Sequence, residues 1–548
     1  MKRINFTILY SLFVVHFVAG QAISNYKLWN IPVNEINDLH KTEQRFNTDA
    51  EEIIVKFITS IDHKQADVKT WGCIDLFCKT IDGKWLQILA EGNCTTGDTM
   101  VCRFNNLTPH DQYVNNRQYN LYFPINSKIV WMEIAVPAKN FFKPLSVSNE
   151  QPVVIYTTAF VNNDTPNIIS WTNLLSRKLD RPVFIMNLSA NNKLKKWMQQ
   201  TTPKLVVLDC IQAFMKPGIS TAAIKNSITK AVSVIRIKKP ETPVLLGEYF
   251  LASNQHTTSK SYQQYTLANK ALREVFDSLL AAGAKNSYLL TNEDYTIVRE
   301  KITDSLTIGE TEMKHKANAY EQKIRTILNE QAGLISTTIP VTQRRDAASY
   351  DWETRHNEVL ALNKKMKQKV VFIGNSITHY WGGIPAAPYA RGAASWNKYF
   401  EPRHAINMGF GWDRIENVLW RVHHGELDGI SPKQIVIMIG TNNLEHNTDT
   451  EIVQGLRFLV TAIQLKQPVA TILLMGILPR RSMEKRITHL NKMIAETTTG
   501  INIKYADAGT LYLKENDTIN EKLFSDGLHP NDAGYEKLGN FIDGLLKK

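Results

Sequence analysis

The residues with the most chemical potential lie in the last third of the chain. An apolar run, Lys369-Val370-Val371-Phe372-Ile373, leads directly into Gly374-Asn375-Ser376-Ile377-Thr378. A serine at a tight strand-to-helix turn exposes its hydroxyl at the carboxyl edge of a sheet, beside the N–H groups of a helix N-terminus, and that location suits a nucleophile. The ordinary alternative is a serine that merely caps the helix. A second run, Gln434 to Ile439, ends in Gly440-Thr441-Asn442-Asn443, where a side-chain amide can point into the same crevice. Near the C-terminus, Asp526-Gly527-Leu528-His529-Pro530-Asn531-Asp532 forms a turn-rich loop before a final helix, with Asp526 and His529 close enough for carboxylate to approach imidazole.

Such residues need a rigid support. Ile452, Leu456, Leu459, Val460 and Ile463 fall on one face of a helix, flanked by strand-like runs at Gln434–Ile439 and Thr471–Met475. Strand runs alternating with amphipathic segments indicate βαβ units around a parallel sheet. The same alternation occupies the region from Pro152 onward, and the two halves match run for run at a spacing of roughly 220 residues, one whole domain. Before it, short period-two runs such as Trp85–Leu89 and Ile129–Ile134, separated by Gly, Asn and Asp, indicate a β-sandwich. The expected class is therefore α/β: residues 21–150 a sandwich, 151–332 a first α/β domain, 333–360 a polar linker and 361–548 a second α/β domain.

Four blocks in the last of these, Gly374 to Thr378, Asn407 to Arg421, Ile439 to Asn443 and Asp526 to Asp532, stand in the order and spacing of SGNH/GDSL-family hydrolases. The region from about 365 to 548 resembles that family, most of all the branch of platelet-activating-factor acetylhydrolase catalytic subunits and its bacterial relatives. The resemblance implies a flavodoxin-like SGNH fold and a metal-independent serine esterase without a cofactor. Ser376 would be the nucleophile, His529 the base that takes its proton and returns it to the leaving alcohol, and Asp526 the group that orients the imidazole. The backbone N–H of Ser376 and the amide of Asn442 would bind the oxyanion, each such donor being worth about 2.7–4 kcal/mol in the transition state. The family places Gly before the Asp of the second block, where this chain has Trp412. Its main-chain N–H can still be the third oxyanion donor unless φ > 0 is required there, which a bulky residue disfavours. Its indole either shapes the acyl pocket or packs in the core.

The first α/β copy resembles a bacterial SGNH branch in which a sandwich with a G-x-D-L-Y motif precedes the hydrolase fold. Here that motif reads Gly72-Cys73-Ile74-Asp75-Leu76-Phe77, with one extra residue. Where the nucleophile should stand is Ala159, near the expected Asn is Ala213, and Asp304-Ser305-Leu306-Thr307 lacks a His. By this alignment the first copy is catalytically inert and serves packing or glycan contact.

Composition bounds the rest. The 548 residues, 43% hydrophobic and 21% charged, fit about three folded units and exclude a polytopic membrane protein. Lys2 and Arg3 before the apolar run from Ile8 to Val18, ending in Ala19 and Gly20, read as a signal peptide over residues 1–20, too short to span a bilayer and without a following Cys for lipidation. The expectation is a secreted or periplasmic protein with no membrane span. Cys73, Cys78, Cys94 and Cys102 suggest one or two local disulfides, and Cys210 after Leu205–Leu208 a buried thiol. The formal charge of +12 is dispersed, with about +5 of it in residues 361–548, and carries no nucleic-acid motif. The family resemblance, taken with the export signal and the attached sandwich, implies a secreted esterase that removes small acyl groups, above all acetyl, from a carbohydrate, with an acylated glycan as partner. A lysophospholipase or thioesterase on the same triad, and a glycan-binding protein with vestigial catalysis, remain as other readings.

Overall fold

The computed structural model describes residues 25–31, 43–59, 74–80, 83–91, 99–107, 117–122, 129–145, 150–157, 170–187, 202–214, 218–249, 260–299, 308–345, 349–497 and 503–547. The signal-peptide reading of residues 1–20 lies outside them. Among the described residues no helix is long and apolar enough to cross a membrane.

The N-terminal runs form two antiparallel sheets. One has the order Tyr26–Asn30, Ile129–Pro137, Ile53–Thr59, Met100–Phe104, and the other Trp85–Ile88, Asp75–Lys79, Arg117–Tyr122, Glu43–Thr48, Phe142–Pro144. Alternate side chains turn inward, so Val55, Phe57 and Ile134 of the first meet Phe46, Leu76 and Leu121 of the second in one core. Cys78 is buried there as a free thiol, so two disulfides within the cluster are excluded. At most one remains, among Cys73, Cys94 and Cys102, and the first two lie outside the described residues. Cys210 is a buried free thiol, as its apolar surroundings dictate.

Both later halves are five-stranded parallel sheets with one topology. Taking strands in chain order within each half, the spatial order is 2-1-3-4-5: Val183–Asn187, Val153–Thr157, Leu205–Asp209, Val244–Gly247, Ser287–Leu290 in the first, and Ala405–Gly409, Val370–Gly374, Gln434–Met438, Thr471–Met475, Lys504–Ala506 in the second. This is the flavodoxin-like arrangement. Strands covered by helices on both faces are apolar throughout, which is why they read as unbroken runs and not as alternation. The helix Asp449–Lys466 starts at a Thr448/Glu451 capping box and lays Ile452, Leu456, Leu459, Val460 and Ile463 against the sheet residues Val371, Ile373, Ile435 and Ile437.

The segment expected as a linker is part of the fold. Thr337, Thr338, Val341, Thr342, Gln343 and Arg344 are buried, and a helix begins at Trp352 (Trp352–Lys365), inside the segment that was to be a spacer. Its polar residues were read as solvated. They are instead consumed by partners: Thr337 Oγ1 donates to the Glu451 carbonyl at 2.8 Å, and Arg344 bonds Glu353 at 2.9 Å.

Candidate active site

In a 2-1-3-4-5 sheet the crevice opens at the carboxyl end of the first strand, where the chain order reverses. That strand ends at Gly374, and a Cβ there would lie 2.5 Å from the Met438 carbonyl oxygen, so only glycine lets the first and third strands close up beneath the site. The next residue, Asn375, is the helix cap: its Oδ1 accepts the Ile377 N–H at 3.0 Å. Because Asn375 caps the turn, the Ser376 hydroxyl is not drawn into that role. Ser376 Oγ instead lies 2.8 Å from His529 Nε2, and the other ring nitrogen, Nδ1, lies 2.8 Å from Asp526 Oδ2. Asp526 Oδ1 also accepts the N–H groups of Leu528 at 3.0 Å and His529 at 2.8 Å, which closes the loop and fixes the carboxylate against the ring.

The electrostatics suit proton transfer. Burial opposes charge on Asp526, but the hydrogen bonds from His529 and Leu528 outweigh it and hold the carboxyl down at about 2. Burial also pushes the His529 imidazole below its ordinary value, against the pull of Asp526, with Arg391 and Arg480 adding to the depression. His529 is therefore neutral at neutral pH and able to accept a proton. An ester hydrolysis that uses His529 as its base is expected to follow the unprotonated imidazole, rising with pH through a midpoint below the usual 6.5 of histidine and flat from there to neutrality. A pH profile of kcat/KM whose acid limb falls above pH 6.5 would contradict this.

Facing Ser376's sheet edge is the loop Gly411-Trp412-Asp413, and almost all of its backbone is tied down. The Gly411 N–H donates to His379 Nδ1 at 3.1 Å, and the Gly411 carbonyl accepts from Gln343 Nε2 at 2.9 Å and the Tyr350 hydroxyl at 2.8 Å. The Trp412 carbonyl accepts from Arg345 Nη2 at 2.8 Å. The Asp413 N–H donates to the Phe410 carbonyl at 3.2 Å, while the Asp413 carbonyl accepts from Asn442 Nδ2 at 2.9 Å. Among the described residues the Trp412 N–H is the backbone group of this loop left without a hydrogen bond. Below it the Asp413 carboxylate, fully buried, accepts from Trp352 Nε1 at 2.8 Å and Arg421 Nε at 2.9 Å.

Trp412 has φ of +64° and is 47% exposed. The core reading of its side chain is thereby overturned: the indole stands at the surface of the loop. The position does take the φ > 0 that the sequence reading set against a bulky residue; it costs roughly 1–2 kcal/mol, and Trp412 adopts it because the clamps around the loop hold it there. Trp412→Gly should relieve that strain at little loss of packing and raise the unfolding midpoint by about 2–4 °C. A fall in the midpoint on calorimetry would mean that indole contacts outweigh the backbone term.

Comparison with known proteins bears on the family of both α/β halves. The GDSL-like lipase/acylhydrolase family is matched twice, over residues 372–537 and over 150–325. Platelet-activating factor acetylhydrolase IB subunit alpha2 of Bos taurus is 31% identical over 202 residues, 36% of this chain and 83% of that protein. The chain belongs to the GDSL-like lipase/acylhydrolase family. The alpha1 subunit of Rattus norvegicus is 28% identical over 200 residues, 36% of this chain and 82% of that protein. A GDSL-like lipase structure from Bacteroides thetaiotaomicron, 19% identical with a TM-score of 0.30, covers 35% of this chain and 97% of that one.

In this GDSL-like acylhydrolase the first copy is built differently at the same place. Asp209, at the end of its third strand, accepts from the Tyr320 hydroxyl at 3.0 Å and pairs with Lys316 at 2.9 Å, while Lys316 lies 4.5 Å from the Trp171 ring centre. The last helix of that domain, Ile308–Leu328, thus fills the edge of the sheet with an ion-pair cluster. Ala213 sits in the 3₁₀ turn Ile211–Phe214, and Ala159 and residues 304–307 lie outside the described residues. Sequence reasoning missed Gln343, Arg345, Tyr350, Trp352 and His379. A cue was available, since Gln343, Arg344, Arg345, Tyr350 and Trp352 put aromatics and forked donors into a stretch that a solvated spacer would leave to small polar residues.

Proposed function

We propose that the protein is a serine ester hydrolase in which Ser376, His529 and Asp526 act as nucleophile, general base and orienting carboxylate. The observation that supports it best is the pair of 2.8 Å contacts on the two ring nitrogens of His529. As an acyl ester enters, Ser376 Oγ bonds to the carbonyl carbon and its proton passes to Nε2. The developing oxyanion is met by the N–H groups of Ser376 and Trp412 and by Asn442 Nδ2. Collapse expels the alcohol, which takes the proton from His529, and a water then releases the acid by the same route.

The acyl group is proposed to be acetyl, because the curated relatives are named acetylhydrolases. The acceptor is proposed to be a carbohydrate on an exported substrate, a reading supported by the leader-like N-terminus and the attached sandwich. Catalysis falls to the second α/β domain and the first is inert. The test is acetate release from aryl acetates and from O-acetylated xylan, pectin, sialoglycan and peptidoglycan. An acetyl-sized pocket should lose activity on aryl esters beyond butyrate. Preference for long acyl chains would favour the lysophospholipase or thioesterase reading, and no turnover of any ester would favour a glycan-binding protein.

A further inference from the structure

We infer that Val341–Arg345, together with Tyr350 and Trp352, form a brace through which the sandwich and the first α/β domain hold the oxyanion loop in shape, with Arg345 as the positioning residue. The inference rests on the reading of Ser376 as nucleophile and goes beyond it by giving the inert half of the chain a part in the reaction.

The loop cannot hold its own conformation. Trp412 occupies the left-handed region, which an unrestrained bulky residue leaves, and its return to φ < 0 would rotate the 411–412 peptide and swing the N–H away from the crevice. The contacts opposing that rotation come largely from one stretch of chain. Gln343 Nε2 bridges the Gly411 carbonyl and Asp413 Oδ1, at 2.9 and 3.0 Å, and Gln343 Oε1 accepts the Arg345 N–H at 2.7 Å. Arg345 Nη2 in turn spans the Trp412 carbonyl at 2.8 Å and Asn417 Oδ1 at 2.6 Å. A planar fork suits this, because it restrains the carbonyl in direction as well as distance.

The brace is anchored at its other end by the rest of the protein. The Thr342 N–H and hydroxyl both donate to Asp180 Oδ2 at 3.0 Å, and Lys79 of the sandwich donates to Thr342 Oγ1 at 2.6 Å while pairing with Asp180. Lys79 and Asp180 are 7% and 8% exposed, so this node is dry and rigid. Asp180 ends the helix Trp171–Leu179 of the first α/β domain, and its carbonyl accepts from Trp420 Nε1 at 3.3 Å. Val341 closes the ladder: its N–H donates to the Glu416 carbonyl at 3.3 Å and its carbonyl accepts from Asn417 Nδ2 at 2.8 Å. Sandwich, first domain, brace and second domain meet at one point, one to three residues along the chain from the groups that clamp the loop.

The experiment uses the full chain. Arg345→Ala should lower kcat on an aryl acetate by about 10- to 100-fold with KM within a few-fold, the pattern of a misplaced oxyanion donor. Adding Trp412→Gly to Arg345→Ala should restore most of kcat, since glycine holds φ > 0 without a clamp. Thr342→Val, which touches no triad residue, should lower kcat by about 2- to 30-fold. Hydrogen exchange gives a readout independent of turnover: amides of 411–413 should exchange faster in Arg345→Ala and Thr342→Val, with the sheet strands unchanged. Unaltered exchange at 411–413 in both variants overturns the brace, whatever the activity. So does a kcat loss in Arg345→Ala that Trp412→Gly fails to repair. Inert wild-type protein with the faster exchange present would instead sink the esterase reading and leave the brace standing.

Discussion

Ser376→Ala is expected to leave a folded chain whose kcat on an aryl acetate is lower by about 10⁴-fold or more. The effect is large because nothing nearby can replace the nucleophile: the hydroxyl is the group that faces His529 Nε2 at 2.8 Å, and a methyl cannot attack. The fold should survive because the helix turn is capped by Asn375 and not by Ser376. Losing the Ser376–His529 hydrogen bond costs about 1 kcal/mol at most, a small part of domain stability. Initial rates measured beside circular dichroism would decide the matter. Equal turnover by both proteins at the same fold content removes Ser376 from the mechanism.

The second large effect is Asp526→Asn, with a fall in kcat approaching 10⁴-fold, the size seen when the wrong imidazole tautomer is imposed. Asp526 Oδ2 lies against His529 Nδ1, so in the wild type Nδ1 carries the proton and Nε2 is free to accept from Ser376. The asparagine oxygen would keep the Leu528 and His529 backbone N–H groups that Oδ1 now accepts, so the loop should close as before. Its amide N–H₂ would then face Nδ1 and force the proton to Nε2, where it blocks transfer from serine. Partial recovery at high pH, as hydroxide supplies the missing base, is consistent with this. A variant within tenfold of wild type would mean that Asp526 serves the loop and not the tautomer.

Much of this was legible in order of residues because its physics is local. Strand runs such as Val370–Gly374 and Gln434–Met438 are apolar because each is covered on both faces, and Ile452 to Ile463 repeat with helical period because one face of that helix meets the sheet. Asp526 and His529 are three residues apart, so a single turn brings them together. The duplicated topology was legible from the matching runs at Val153, Leu205 and Val244. The missed parts are those whose partners are distant in sequence. Residues 341–345 look like a spacer by composition, and only their partners, 68 residues on for Gln343 and Gly411, 67 for Arg345 and Trp412 and 162 back for Thr342 and Asp180, show them to be structural. Cys78 was grouped with its neighbours in sequence, yet it points into the sandwich core as a free thiol.

What the sequence determined by itself was the inventory: a serine at a strand end, an Asp and a His on a late loop, and an Asn on a glycine turn. Residue types and short spacings suffice for that, since a side chain either can or cannot attack, accept or donate. Tertiary structure alone decided which hydroxyl is free and which backbone N–H is left over. The first turned on Asn375 taking the cap, and the second on six contacts that consume every other polar backbone group of Gly411 to Asp413. Both are questions of who is paired with whom, and in a folded chain pairing is settled by three-dimensional proximity, not by order along the backbone.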